Sequence, residues 1–363
     1  METALKVARQ YYVERKQPQR CKFIARRQSY HGNTLGALSV SGNTQRRKEF
    51  EPLLMDTSHI APCYAYRDQR PDETLENYGL RVANELESQI QELGSENVIG
   101  FIAEPVVGAT AGGLVAPPGY FKRIRKICND YDILLILDEV MCGMGRTGTL
   151  YACEQEGISP DIVTIAKGLA GGYQPLGAML CSATIYDTIH RGSGRFQHGH
   201  TYVGHATACA AGIAVQSTIQ DAHLLENVIS MGRRLHTGLQ RRFAQHPHVG
   251  DIRGRGLLWG IELVADRSTK EPLAPAFRLH SVVKRHAMAL GLICYPSGGT
   301  IDGLRGDHVL LAPPYIINSA QIDKIITLLG HAIDLACAEL ELTSSRNSGV
   351  HLTLSYPEKT CKM

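Results

Sequence analysis

Several features that mark specialised proteins are missing from this 363-residue sequence. Its ten cysteines form no Cys-x-x-Cys pair and follow no regular spacing, and no signal peptide precedes them, so we expect reduced thiols in a cytosolic protein. No stretch approaches the roughly 18 uninterrupted apolar residues of a membrane span. Lysines and arginines are scattered without a basic run and the net charge is only +3, which argues against nucleic acid as a partner.

The sequence has the balance of an ordinary globular protein, with 44% apolar and 20% charged residues. A chain of this length exceeds one ordinary core and suggests two domains. The first residues, 1–16, are amphipathic and somewhat basic, as in a mitochondrial presequence. Glu2 and Glu14 count against that reading, because transit peptides are poor in acids, so we expect a cytoplasmic location.

Short apolar runs alternate with helical stretches through residues 1–221, which we expect to form the larger domain. Continuous apolar strands that alternate with helices indicate an α/β fold with a mainly parallel sheet flanked by helices. The expected strands are residues 98–103, 133–137, 162–165 and 176–181. Ligands of such sheets bind at the carboxyl ends of the strands, where Glu104, Asp138 and Lys167 lie.

The pattern changes at about residue 222. A long helix, a strand pair within residues 252–263 and a final helix from about 320 to 340 indicate a smaller α+β domain over residues 222–342. Residues 343–363 are polar and irregular, and we expect them to be a disordered tail.

Three local patterns allow other interpretations. Four apolar residues before Asp138-Glu139 resemble a Walker B strand, but an ATPase also needs a phosphate loop, and the sequence has no Gly-Lys dipeptide. The Gly-x-Gly-x-x-Gly match at residues 143–148 is not preceded directly by a strand, which disfavours a dinucleotide site. The histidines of residues 198–205 lack acidic or cysteine ligands at normal spacing, so we expect a structural or phosphate-adjacent loop and no metal.

A lysine and an aspartate at the ends of two buried strands are the most informative feature. Burying the Lys167 ammonium at the end of a strand would cost several kcal/mol unless it were paired or deprotonated. A lysine whose pKa is lowered by its surroundings is suited to form a Schiff base with an aldehyde. Asp138, on a neighbouring strand, needs a buried cation, and a protonated pyridine nitrogen would supply one. Together the two residues indicate a pyridoxal 5'-phosphate site.

With these residues identified, the sequence resembles the class III aminotransferases, which have the large domain of the fold-type-I pyridoxal-phosphate enzymes. The resemblance extends over nearly the whole chain. Its motifs are Tyr30-His31-Gly32-Asn33-Thr34, Ala103-Glu104-Pro105-Val106, Asp138-Glu139-Val140, Gly143-x-Gly145-Arg146-Thr147-Gly148, Ala166-Lys167-Gly168-Leu169, Gly199-His200-Thr201-Tyr202, Arg253-Gly254-x-Gly256-Leu257 and Asp307-His308-x4-Pro313-Pro314.

The resemblance implies a role for each matched position. Lys167 would carry the cofactor as a Schiff base and, when displaced by substrate, act as the base that moves a proton. Asp138 would hold the pyridinium nitrogen. Other residues would bind the cofactor: Tyr30 and Val140 on the two faces of its ring, Thr201 on its phosphate across a dimer interface, and His31 and Glu104 nearby. Arg305 lies near the position at which some relatives bind the substrate carboxylate.

The resemblance also implies a homodimeric enzyme that moves an amino group from an amino acid or amine to a 2-oxo acid. Related racemases, aminomutases, decarboxylases and phospholyases share the fold and the lysine, so these reactions stay open. Relatives have an N-terminal segment with a Ser-Gly-x-Glu-Ala phosphate loop, and this chain begins just after it, inside a helix. A further alternative is therefore a noncatalytic chain that pairs with a complete homologue.

Overall fold

The structure, a computed structural model, describes the backbone of residues 1–347 and the side chains of residues 1–340. Its N-terminal part alternates strands and helices. The strands are β1 (Lys22–Arg26), β2 (Ser58–Ile60), β3 (Val98–Ala103), β4 (Val106–Val107), β5 (Leu114–Val115), β6 (Leu134–Asp138), β7 (Ile162–Ile165) and β8 (Ala178–Cys181). The helices are α1 (Glu2–Glu14), α2 (Leu35–Val40), α3 (Thr44–Arg47), α4 (Ala65–Asp68), α5 (Leu75–Leu93), α6 (Tyr120–Asp130), α7 (Ala183–Arg191) and α8 (Ala206–Asp221).

Six of these strands form one sheet in the order β2-β1-β3-β6-β7-β8. The first five run parallel, as the sequence predicts, and β8 runs antiparallel to β7 at the edge. The segment between β7 and β8 contains only a short 3-10 turn. A parallel neighbour needs a longer crossover, usually a helix, so this short connection accounts for the reversed direction of β8.

Helices cover both faces of the sheet. Successive side chains of its central strands point to opposite faces, so each strand packs against helices on both sides. In β6, Leu135 and Leu137 pack in the cluster that contains α5 and α6. Leu134 and Ile136 pack in the cluster that contains α1. Every residue of β3 and β6 is buried, which explains why these strands appear in the sequence as uninterrupted apolar runs.

The C-terminal part confirms the predicted helix after residue 222, the strand pair and the final helix, and it adds two strands that the sequence did not predict, β11 and β12. Its elements are α9 (Leu224–Phe243), β9 (Val249–Arg255), β10 (Leu258–Leu263), α10 (Leu279–Ala289), β11 (Tyr295–Gly298), β12 (Asp307–Leu311) and α11 (Ser319–Asn347). The strands form an antiparallel sheet in the order β11-β12-β10-β9.

The end of the chain is described only in part. The backbone of α11 continues to Asn347, and the rest of the expected tail, residues 348–363, lies outside the described residues. None of the helices within residues 1–347 combines the length and the apolar character that crossing a bilayer requires.

A buried ion cluster joins the two parts of the chain. Glu262 of β10 accepts hydrogen bonds from Tyr64 and from Arg67 Nε (2.7 Å), both in the N-terminal part, and pairs with Arg253 of β9. Arg253 in turn donates to the carbonyl oxygens of Ala111 and Gly112 and to Asp251. We call Tyr64, Arg67, Asp251, Arg253 and Glu262 the Glu262 cluster.

The backbones of the two parts also approach closely beside this cluster. A side chain on Gly260 would place its first carbon 1.8 Å from the carbonyl oxygen of Gly112, which is far inside contact distance. Residue 260 must therefore be glycine for the loop that contains Gly112 to rest on β10.

Candidate active site

Asp138 ends the buried strand β6, and both of its carboxylate oxygens are hydrogen-bonded. Oδ1 accepts from the amide of Val140 (3.1 Å) and from the hydroxyl of Thr164 on β7 (3.3 Å). Oδ2 lies 2.8 Å from Nδ1 of His31, whose side chain is fully buried. A carboxylate can only accept, so Nδ1 of His31 is the donor. A carboxylate has about four acceptor positions, so Asp138 retains one for a further donor.

The other ring nitrogen of His31 is an unsatisfied buried group. Nε2 is enclosed by protein and has no hydrogen-bond partner among the described residues. Native proteins leave few buried polar atoms unpaired, and an unpaired one calls for an explanation such as a catalytic role or a bound water or ion. Nε2 of His31 is therefore available to hydrogen-bond a bound ligand or water.

Glu104, directly after β3, fixes the loop that carries Tyr30 and His31. Its Oε1 accepts from the amide of Tyr30 (3.1 Å), and its Oε2 accepts from the amide of Gly108 (3.0 Å). Burial raises the pKa of the Glu104 carboxyl, and the neighbouring charge of His31 opposes part of that shift. In the structure Glu104 contacts the backbone of Tyr30, so it fixes the position of that loop.

Lys167 lies two residues beyond β7, at the start of the turn that leads to β8. Its backbone is left-handed, with φ of 47°, a conformation that costs a non-glycine residue on the order of 1 kcal/mol or more. The side chain is exposed in the single chain and forms no hydrogen bond or ion pair with any described residue. The expectation of a buried lysine is thus wrong for the single chain, because the turn opens into a cavity.

That cavity has a volume of about 1000 Å³ and is bounded by both parts of the chain. Lys167 and Tyr173 line one side, and Tyr315 and Ile316 of the C-terminal part line another. Arg146, in the glycine-rich loop after β6, connects the two sides. It donates to the carbonyl oxygen of Pro313 (2.6 Å), and its guanidinium lies 4.6 Å from the centre of the Tyr315 ring. Arg146 was part of a motif found in the sequence, but its contacts with Pro313 and Tyr315 were not predicted.

Glu139, the second acid of the Asp-Glu pair, has a structural place. Its carboxylate is completely buried and accepts from the amides of Ala152 (2.6 Å) and Cys153 (2.9 Å). The two acids therefore have different partners, since Asp138 contacts His31 and Thr164 whereas Glu139 holds the following turn.

Of the eight predicted site residues, Lys167 alone lines this cavity in the described chain. Five others form a hydrogen-bonded group around the end of β6, namely Tyr30, His31, Glu104, Asp138 and Val140. The remaining two lie apart from both. Thr201 is exposed in a turn before α8, and Arg305 is exposed and paired with Asp302 (2.7 Å). Neither is among the residues that line the cavity beside Lys167 in the described chain.

The histidines near Thr201 have local partners. His198 lies 3.2 Å from Thr3 Oγ1 and 3.3 Å from Lys6 Nζ of α1, and His205 accepts from the amide of Ala208 at the start of α8. Among residues 1–340, no group of three or more histidine, cysteine or acidic side chains is arranged to hold a metal ion.

Comparison with known proteins decides the family. The model of the aminotransferase class-III family matches residues 1–333. The chain therefore belongs to the class III aminotransferases. A Gibberella zeae protein named aminotransferase is 48% identical over 341 residues, which are 93% of this chain and 67% of the relative. An uncharacterized aminotransferase of Schizosaccharomyces pombe is 46% identical over 341 residues, 94% of this chain and 74% of the relative.

A solved structure supports the same assignment. The (S)-enantioselective omega-transaminase from Thermomicrobium roseum has a TM-score of 0.86 and 38% identity, and the match covers 92% of this chain and 72% of that one. Class III aminotransferases are enzymes that use pyridoxal phosphate to move an amino group from a donor to a 2-oxo acid. The fold, the family and the cofactor predicted from the sequence are thus confirmed.

The residues of the site fit this cofactor. An aldehyde needs an amine in an open cavity, and Lys167 provides one. A pyridinium nitrogen needs a buried acceptor, and Asp138 has an unused acceptor position.

Proposed function

We propose that this class III aminotransferase holds pyridoxal phosphate through Lys167 and Asp138 and transfers amino groups at that site. The observation that carries the proposal is the pairing of β6 with β7. Thr164, three residues before Lys167, donates its hydroxyl to Asp138, so the lysine and the carboxylate leave the sheet at the same edge. We further propose that residues 1–221 form the cofactor-binding domain and residues 222–342 the smaller one.

Each residue would do a distinct part of the work. When bound, pyridoxal phosphate supplies an aldehyde for attachment and a ring that withdraws electrons from the substrate's α-carbon. Lys167 would be the covalent anchor and, once displaced by the substrate amine, would hold and move the α-proton at Nζ. Asp138 would accept from the ring nitrogen, with His31 and Thr164 fixing its orientation. Tyr30 and Val140 would flank the ring.

A donor screen tests the reaction. The purified chain, loaded with pyridoxal phosphate, is offered amino acids and amines with pyruvate or 2-oxoglutarate, and the amino acid formed from the acceptor is measured. We expect transfer that Lys167→Ala abolishes and that Lys126→Ala, a change in an exposed residue of α6, leaves intact.

Other outcomes point to the alternatives. Inversion of a donor without transfer would indicate a racemase, and loss of a donor without an amino product would indicate a lyase. A colourless chain without activity would favour the noncatalytic partner.

We also propose that two copies complete the site. The turn that holds Thr201 exposes Tyr202 and Val203, each about four-fifths accessible, and Ile213 of the largely apolar helix α8 is 69% accessible. Exposed apolar groups in this density are typical of a surface that a partner covers. A second copy would bring Thr201 to the cofactor phosphate of its neighbour and enclose Lys167.

Mixing two inactive variants tests this arrangement. If Thr201 serves the neighbouring site, Thr201→Ala and Lys167→Ala chains form a hybrid with one site free of both changes, so activity should return. An active monomer in sedimentation, or no recovery in a mixture shown to form hybrids, would rule out the shared site.

A further inference from the structure

Arg46 of α3 is a cation without an anionic partner next to the proposed site. Its guanidinium carbon lies 4.4 Å from the centre of the Tyr30 ring. Tyr30 precedes His31, which is hydrogen-bonded to Asp138. Arg46 therefore lies beside the aromatic residue that we place against the cofactor ring.

Arg46 is half-buried, and its guanidinium has no hydrogen-bonding partner among the described residues. It forms no hydrogen bond and no ion pair with any residue whose side chain the structure describes. Other arginines around the site differ, since the guanidinium group of each donates to at least one protein oxygen. They are Arg26 on the Glu104 carbonyl, Arg47 on the carbonyls of Leu38, Ser39 and Ser41, Arg146 on the carbonyls of Leu257 and Pro313, and Arg305 on Asp302.

The backbone that presents Arg46 is fixed at the junction of the two parts of the chain. The Arg46 amide donates to Asn43 Oδ1 (3.1 Å), and Asn43 Nδ2 donates to Gln28 Oε1 (3.2 Å). Gln28 Nε2 donates to the carbonyl oxygens of Gly299 (2.7 Å) and Thr300 (2.9 Å). Asn43 and Gln28 are buried, so this chain of hydrogen bonds orders the base of the arginine before any ligand arrives.

From these contacts we propose that Arg46 binds the carboxylate of the amino-acid donor and of the 2-oxo acid acceptor. A guanidinium with free N–H groups is matched to a carboxylate in a two-bond geometry, and stacking on Tyr30 limits its freedom. The proposal rests on the proposed transaminase function and adds to it a substrate class, namely acids rather than simple amines. Under this proposal the substrate carboxylate binds Arg46 and not Arg305, because the guanidinium of Arg305 is already paired with Asp302.

The test uses two donors that differ in the carboxylate alone, L-alanine and L-alaninamide. The second-order rate constant for each donor is measured by the absorbance change of the cofactor-loaded chain. Arg46→Met should lower the constant for L-alanine by about a hundredfold and leave that for L-alaninamide within about twofold of the unchanged chain. Arg46→Lys keeps the charge but not the two-bond geometry, so it should restore part of the loss.

Lys48→Met is the matched control, because Lys48 is a neighbouring exposed cation that is not part of the site. It should leave both constants unchanged. An equal loss for both donors in Arg46→Met would mean that Arg46 only supports Tyr30, and no loss, or a selective loss in Arg305→Met instead, would also overturn the proposal. A cofactor-loaded chain that reacts with neither donor, nor with any donor of the screen, would refute the proposed function itself.

Discussion

Replacing Arg253 by methionine would remove one of two cations from the Glu262 cluster, which joins the two parts of the chain. Arg253 is buried, and it bonds to the carbonyl oxygens of Ala111 (2.7 Å) and Gly112 (3.1 Å) and to Asp251 (2.8 Å) besides Glu262. Methionine fills much of the same space but satisfies none of these acceptors.

The expected cost follows from what remains around Glu262. Removing one partner of a buried ion pair costs about 3–5 kcal/mol. Arg67 and Tyr64 still contact the carboxylate of Glu262, so we expect a loss near the lower end, about 3 kcal/mol in the free energy of unfolding. The sequence has a single tryptophan, Trp259, in β10 next to Gly260, so urea denaturation followed by its fluorescence reports this region.

The dependence on pH has a definite sign. Burial alone would raise the pKa of Glu262, but the charges of Arg253 and Arg67 outweigh it and the pKa is lowered. A lowered pKa stabilises the fold above the ordinary glutamate value, about 4.3, and that stabilisation is lost as the pH falls through the folded-state pKa. Without Arg253 the lowering is smaller. The deficit of the variant should therefore be largest at neutral pH and shrink in acid.

Arg234→Met provides the control, because Arg234 forms a comparable pair with Asp323 on the surface. Its urea midpoint should stay nearly that of the unchanged chain, since exposed pairs contribute little. A loss below about 1 kcal/mol in Arg253→Met, or a deficit that does not shrink in acid, would refute the reasoning about the cluster.

Two further substitutions separate the acids of the Asp-Glu pair. Asp138→Asn should keep cofactor in the chain but lower the rate of a single turnover by on the order of a hundredfold, because an amide does not balance the charge of a pyridinium; near-normal turnover would remove Asp138 from the site. Glu139→Ala leaves the amides of Ala152 and Cys153 without their acceptor, at about 1–3 kcal/mol each, so it should lower the free energy of unfolding in a urea titration. Unchanged stability would show that water replaces the carboxylate.

The central strands and the pair formed by Asp138 and Lys167 were predictable from the sequence for one physical reason. A strand that is buried on both faces must be apolar throughout, so polar residues at its end stand out. β3 and β6 are of this kind, and β7 is close to it, with a half-buried Val163 and a buried Thr164. β1 was missed because it begins with Lys22 and ends with Arg26, a fully buried arginine that resembles a surface residue in the sequence. β11 contains a proline and ends in glycine, which is typical of a loop.

Other parts of the site depend on contacts between distant residues. The hydrogen bond between His31 and Asp138 joins positions 107 residues apart, and no local pattern indicates it. The free guanidinium of Arg46 is recognised only because nearby arginines are seen to be paired. The direction of β8 could have been inferred, because the segment from Ala166 to Gly177 is too short and too rich in glycine for a helical crossover.

The identity of the lysine that binds the cofactor is the most direct test of the proposed site. The chain is loaded with pyridoxal phosphate and treated with borohydride, which makes the lysine–cofactor bond permanent, and the digested peptides are analysed by mass spectrometry. We expect the added mass on the peptide that contains Lys167 and no labelled peptide from the Lys167→Ala chain. Labelling of a different lysine, or equal labelling of the Lys167→Ala chain, would contradict the proposed site.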